Sequence, residues 1–230
     1  MIRLDKALAS MGEGTRTQVK QMIKAGLVQV NGVIIRNPDT KIAEDSEIVL
    51  DGRPVVYQKY VYWMLNKPAG YITATEGREP VVMDLIDQQV HGVYPVGRLD
   101  KDTAGLLLLT NDGPLGHQLL SPKHHVEKEY YVKVKNPVSE QDIEKMKAGI
   151  KEGEDLFLPA VYHPLDETSG HIILQEGKFH EVKRIFLALD NEVLYLQRVR
   201  MKNLVLDPDL KEGEYRPLTK EEIRGLQDQD

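Results

Sequence analysis

The string Gly97-Arg98-Leu99-Asp100-Lys101-Asp102-Thr103-Ala104-Gly105 packs two carboxylates, two cations and flanking glycines just ahead of an apolar run, Leu106 to Leu109. A calcium loop is the first chemistry to weigh, because Asp100, Asp102 and Gly105 fall at its first, third and sixth positions. Ala104 and Asn111 stand where its fifth and twelfth ligands belong, and the second half of the loop is leucine, which rejects calcium. The histidines, including the adjacent pair His124-His125, lack the spacing of a zinc hydrolase, so no resident metal is expected. What remains for Asp100 is nucleophilic chemistry: a carboxylate at a strand end attacks an electrophilic centre if a cation keeps it ionised as the site dries. At 4 Å and an effective dielectric near 20, one positive charge contributes about 4 kcal/mol to that end.

Candidate cations lie in Gly177 to Asp190, which reads as a helix from Phe179 to Leu189. At 100° per residue, Phe179, Val182, Ile185, Phe186 and Leu189 share one apolar sector; Lys183 borders it and Arg184 points away, toward solvent or phosphate. Spacing alone favours plain surface charges for both. An aromatic partner comes from Lys128-Glu129-Tyr130-Tyr131, which opens a strand whose adjacent side chains face opposite sides, so one tyrosine at most enters a given cleft. Lys123, His124, His125 and Lys128 form a basic cluster before it, and Arg198, Arg200 and Lys202 alternate on a later strand. Together they predict a local basic surface.

The elements that must hold these residues fall into two parts. In the first sixty residues Leu4, Leu8 and Met11 have helical spacing, and Thr15 with Gln18 forms a capping box for a second helix with the stripe Val19, Met22, Ile23 and a left-handed stop at Gly26. Val28 and Val30 then alternate up to Asn31-Gly32, the dipeptide suited to a tight hairpin. A last strand, Ile48 to Leu50, predicts a boundary near Arg53 to Lys59, hence domains 1–58 and 59–230. Arg16, Lys20 and Lys24 line one face of the second helix, a ridge suited to backbone phosphates. With eight Lys/Arg against seven Asp/Glu in residues 1–57, that module depends on the placement of charge rather than its sum. The second part reads as strands at Tyr60 to Leu65, Val93 to Val96, Leu106 to Thr110, Tyr130 to Lys135 and His171 to Gln175, with a helix at Ser139 to Ile150. The acidic end, Asp228-Gln229-Asp230, is expected to fray.

Across 230 residues, 30 basic and 36 acidic side chains leave a net charge of −6, which excludes a bulk polycation. Hydrophobic residues at 41% and charged ones at 29% are globular proportions. With no cysteine, disulfides, thiolate metal sites and cysteine nucleophiles are excluded. The absence of a long apolar stretch or signal-peptide core predicts a soluble, cytoplasmic protein.

Two resemblances sharpen these readings. RLDKALA, TRTQVKQMIKAG and VQVNG (Arg3 to Gly32) resemble the small RNA-binding domain named after a primary-binding protein of the small ribosomal subunit, with Thr15 where that domain usually has serine. WMLNKPAGY, GRLDKDTAGLLLLTNDG, SPKHHVEKEY, EGKFHEVKRIF and GEYRPLT resemble, in order, the RsuA-like pseudouridine synthases of ribosomal RNA. That resemblance implies an α+β fold, a small αα-β RNA-binding module followed by a mixed, mostly antiparallel sheet, acting as a monomer without cofactor on ribosomal RNA. It implies Asp100 as the catalytic aspartate, Tyr130 as the active-site tyrosine and Lys183 as the basic partner of Asp100. Arg98 would assist base extrusion. Lys123, His124, Lys128, His180 and Arg184 would meet RNA, as would Arg16, Lys20 and Lys24 in the small module. Glu181 replaces the usual glutamine, and its helical angle from Phe179 predicts little consequence. The SPKHHVEKEY and GEYRPLT strings lie nearer the small-subunit than the large-subunit enzymes. The alternatives are a large-subunit enzyme, a non-catalytic RNA-binding assembly factor and, more remotely, a magnesium-dependent nuclease.

Overall fold

The computed structural model describes residues 1–88 and 90–228, so most of the expected acidic fray, Gln229 and Asp230, lies outside the described residues. Two compact units emerge: Met1–Val61 with Ile86–Val93, and Tyr62–Leu85 with Tyr94–Asp230. The first contains β1 (Ile2–Arg3), α1 (Leu4–Ser10), α2 (Arg16–Ala25), β2 (Val28–Val30), β3 (Val33–Ile35), β4 (Lys41–Ile42), β5 (Ile48–Leu50) and β6 (Arg53–Val55). Thr15 and Gln18 close the capping box on α2, and Gly26 ends it at φ 80°. Both turn residues of the β2–β3 hairpin have positive φ, Asn31 at 49° and Gly32 at 77°, as the tight turn requires. Asp51-Gly52 repeats that turn and sends the chain back along β5 as β6. Arg53 to Val55 therefore belongs to the small unit's sheet. Leu4, Leu8, Val19, Ile23, Val28 and Ile48 form the unit's buried core.

The second unit runs β7 (Tyr62–Lys67), β8 (Tyr94–Pro95), β9 (Ala104–Thr110), α3 (Gly113–Leu120), β10 (Lys128–Val134), α4 (Glu140–Ala148), β11 (Ile150–Glu152), β12 (Asp155–Phe157), β13 (Val161–Pro164), β14 (Ser169–Leu174), α5 (Glu181–Leu187), β15 (Val193–Met201), β16 (Leu204–Val205), β17 (Tyr215–Pro217) and α6 (Lys220–Gln227). Its main sheet has the strand order β13-β14-β10-β15-β9-β7-β17. β9 and β15 run parallel, and the other described pairings of this sheet are antiparallel. The four leucines of β9 are all fully buried, which explains why that strand is apolar throughout rather than alternating. At the parallel seam Arg198 pairs with Gly105. A Cβ on Gly105 would stand 2.3 Å from the Arg198 carbonyl oxygen, so only glycine allows the two strands to meet.

The helix expected over Phe179 to Leu189 is shorter than its pattern. His180 takes a left-handed φ of 50°, and α5 starts only at Glu181. Phe179 lies ahead of the helix and is 70% exposed, whereas Val182, Ile185 and Phe186 are buried as expected.

Candidate active site

Asp100 sits on the turn leading into β9, where the Thr103 N–H donates to the Asp100 carbonyl at 3.1 Å. The turn is braced from behind. Lys67, at the end of β7 and fully buried, donates from Nζ to the carbonyls of Pro68 (3.1 Å), Asp100 (3.0 Å), Lys101 (3.3 Å) and Thr103 (2.7 Å). Thr73 Oγ1 donates to the Leu99 carbonyl at 2.7 Å and accepts from the Leu99 N–H at 3.1 Å. The Gly70 N–H donates to the Lys101 carbonyl at 2.7 Å. Burial lowers the Lys67 pKa to about 8, while the charges of Asp102 and Asp100 act in the opposite sense. Sequence reading passed over Lys67 and Thr73. The available signal was a lysine two residues past the apolar run that ends at Leu65, where an unpaired ammonium would be costly.

Lys183 reaches this turn from α5. Its Nζ lies 3.1 Å from Asp100 Oδ2 and donates to Asp102 Oδ1 at 2.5 Å, so one ammonium serves two carboxylates. Burial works against the Lys183 charge, yet hydrogen bonds to Asp102 and Asp100 hold it above the usual lysine range. Asp102 shows the converse: burial opposes its charge, and the Lys183 hydrogen bond brings it below the ordinary carboxylate range. His180 Nε2 lies 3.4 Å from the other Asp100 oxygen.

Tyr130 comes from β10, one step past a register shift, and pairs with Arg198 across the sheet. Burial raises its phenol pKa; the charge and hydrogen bond of Arg198 oppose this, and the charges of Glu181 and Asp100 add to it. Tyr131 faces the other side and meets the His171 and Tyr195 rings edge-on.

Several expected RNA-facing cations prove to be internal. Lys128 is buried, donates to the Val126 carbonyl at 2.9 Å, and has its pKa lowered by burial and by the charge of Arg198. Arg198 is 2% exposed, and its Nε donates to the Leu106 carbonyl at 2.8 Å. Arg200 pairs with Glu129 and Glu127. Lys202 donates to the Leu226 carbonyl at 3.3 Å. The basic surface inferred from alternate positions is therefore taken up by the protein's own contacts, with Arg198 buried and Arg200 and Lys202 half-buried and partnered, because an alternating stripe reveals a face but not which side of the sheet is covered. Arg184 is likewise tied to Glu152 and to Asp155 (2.7 Å), over the Phe157 ring. Arg98, Lys123 and His124 are exposed. In the small unit Arg16 and Lys24 are exposed, and Lys20 stands 3.8 Å from Asp5.

Glu181 is also unlike its expectation. It is 5% exposed; its Oε2 accepts from the Lys178 N–H at 2.7 Å, and no donor faces Oε1. Burial raises its pKa to about 7, with the neighbouring Glu176 adding to the shift. The wheel drawn from Phe179 misplaced it because the helix begins two residues later.

The turn before β9 thus brings the Asp100 carboxylate, the Lys183 ammonium and the His180 imidazole together, with the Tyr130 phenol within reach of the Asp100 charge. The family profile described as RNA pseudouridylate synthase matches residues 61–188, and the S4 domain profile matches residues 2–48. The chain belongs to the RNA pseudouridylate synthase family. It is 43% identical to an RNA pseudouridine synthase of Bacillus subtilis described as uncharacterized, over 98% of each chain. It is 39% identical to ribosomal small subunit pseudouridine synthase A of Escherichia coli K12, over 98% of this chain and 100% of that one. A solved structure described as a pseudouridylate synthase superposes with a TM-score of 0.70 at 37% identity, covering 98% and 100% of the two chains.

Proposed function

We propose that this chain isomerises one uridine of small-subunit ribosomal RNA, with residues 1–58 gripping the RNA and residues 59–230 doing the chemistry. Detaching uracil from its ribose and rejoining it through carbon changes no oxidation state, so side chains supply the catalysis. The single observation that carries the reading is the 3.1 Å approach of Lys183 Nζ to Asp100 Oδ2. Asp100 acts on the sugar, either as nucleophile at the anomeric carbon or as the base that opens a glycal route. Lys183 holds its carboxylate in place. Arg98, exposed two residues away, fills the gap left by the extruded base. Tyr130 stacks on that base, worth about 1–3 kcal/mol against an unstacking cost of a few kcal/mol. As the new carbon–carbon bond forms, the carbon-5 proton passes to a base at the site; burial raises the Tyr130 phenol pKa, which makes its phenolate scarce for that step. Full-length likeness to the Escherichia coli small-subunit enzyme supports the choice of RNA.

Pseudouridine mapping after incubation with small-subunit and large-subunit RNA tests the substrate. One new site in the small-subunit RNA is expected, and modification of large-subunit RNA alone would overturn it. Asp100→Asn should bind RNA normally and turn over less than about one percent as fast; higher residual activity removes Asp100 from its role.

A further inference from the structure

Phe179 breaks the pattern of its surroundings. Its neighbours on the loop before α5 are anchored: Lys178 Nζ donates to the Leu156 carbonyl at 2.5 Å and lies 5.4 Å from the Phe157 ring centroid. The Lys178 N–H is held by Glu181 at 2.7 Å. Phe179 alone of these turns its ring outward and stays 70% exposed. A lone exposed apolar side chain is ordinary and by itself decides nothing. Here, however, the ring is backed by the His180 imidazole, with centroids 3.7 Å apart and planes 20° from parallel. That imidazole is the group standing 3.4 Å from Asp100 Oδ1. Two contact distances thus separate the Asp100 carboxylate from a fixed aromatic ring with an open face.

A nucleotide drawn out of its stack leaves the next base with one face bare, and a base of any type can be covered by an aromatic side chain. We propose that Phe179, backed by His180, is the stacking platform for the RNA base adjacent to the uridine being isomerised. The inference rests on the reading that Asp100 acts on that uridine's ribose. The platform selects for an unpaired neighbour with a free face rather than for one base identity, because it offers a ring and no hydrogen-bonding edge. The left-handed residue at His180 keeps Phe179 ahead of α5 and so outside the core that its helical spacing predicts.

The test uses the full chain and a small-subunit RNA fragment in which the wild type forms pseudouridine. Phe179→Ala should raise KM between about 5- and 150-fold with kcat little changed, and Phe179→Trp should restore KM. An abasic nucleotide placed on the 5′ or the 3′ side of the target should, on one side, cost the wild type a similar factor and cost Phe179→Ala nothing more. An unchanged KM in Phe179→Ala, or an abasic penalty of equal size in both proteins, overturns the platform. The exposed ring makes an unaltered melting temperature the expected control. A wild type that forms no pseudouridine in any ribosomal RNA defeats the functional reading itself, whereas an active wild type indifferent to Phe179→Ala defeats only the platform.

Discussion

Replacing Glu181 by glutamine removes a titration that the fold itself creates. Glu176 is supplied with donors, accepting from the Leu158 N–H at 2.7 Å and standing 3.1 Å from Lys178 Nζ. Glu181 beside it has a buried oxygen that no donor faces, and burial raises its pKa to about 7. A proton held between the two carboxyls satisfies the buried oxygen and the raised pKa together. Because the folded pKa lies above the unfolded value of 4.5, this group's contribution is full below pH 4.5 and is lost as pH rises through about 7. At 1.36 kcal/mol per pKa unit, the loss reaches at most about 3 kcal/mol in alkaline solution. Glutamine presents a permanent N–H donor toward Glu176 and cannot ionise. Glu181→Gln should therefore match the wild type in stability at or below about pH 4.5 and exceed it near pH 9, by roughly 5–10 °C in Tm. Melting curves of both proteins across that range provide the assay. A constant Tm difference, or a wild type that gains on the variant as pH rises, would mean that Glu181 is ionised throughout and that the shared proton is absent.

Lys183→Met should cut turnover by two to three orders of magnitude while RNA affinity holds, and Lys183→Arg should recover part of it, as measured by single-turnover tritium release from carbon-5-labelled uridine. Removing the brace with Lys67→Met takes the ammonium from the Asp100, Lys101 and Thr103 carbonyls and leaves the first two held only by the Thr103 and Gly70 N–H groups. Turnover is expected to fall at least tenfold, and amide exchange at Thr103 and Gly70 should quicken; unchanged exchange would show that the turn holds itself. Changing Arg16, Lys20 and Lys24 together to glutamine should weaken binding to all RNA sequences alike and lower the slope of log affinity against log salt by about 0.7 per lost phosphate contact, leaving kcat intact. An unaltered slope would separate that ridge from the RNA.

Local rules made a large share of this protein legible before any fold was known. The capping box at Thr15, the left-handed stop at Gly26 and the Asn31-Gly32 turn are each decided by a few adjacent residues, and each is found where its residues place it. The buried leucine strand was readable for the same reason, since four apolar residues between turns leave few options. The string around Asp100 identified the carboxylate, and the resemblance named Lys183 and Tyr130. Spacing could not select among the cations: Arg198 and Lys128 share the residue types of a nucleic-acid surface, yet both lie inside the sheet. Nor could a helical wheel place Glu181 and Phe179, because the left-handed residue at His180 resets the phase of α5. The amino-acid sequence by itself determined the turns, the caps and the presence of a carboxylate on the turn before β9, all of which depend on neighbours in the chain. Only the tertiary structure decided which ammonium meets Asp100, which braces its turn, and which acid has its pKa raised, because those outcomes depend on distance through space and on exclusion of water.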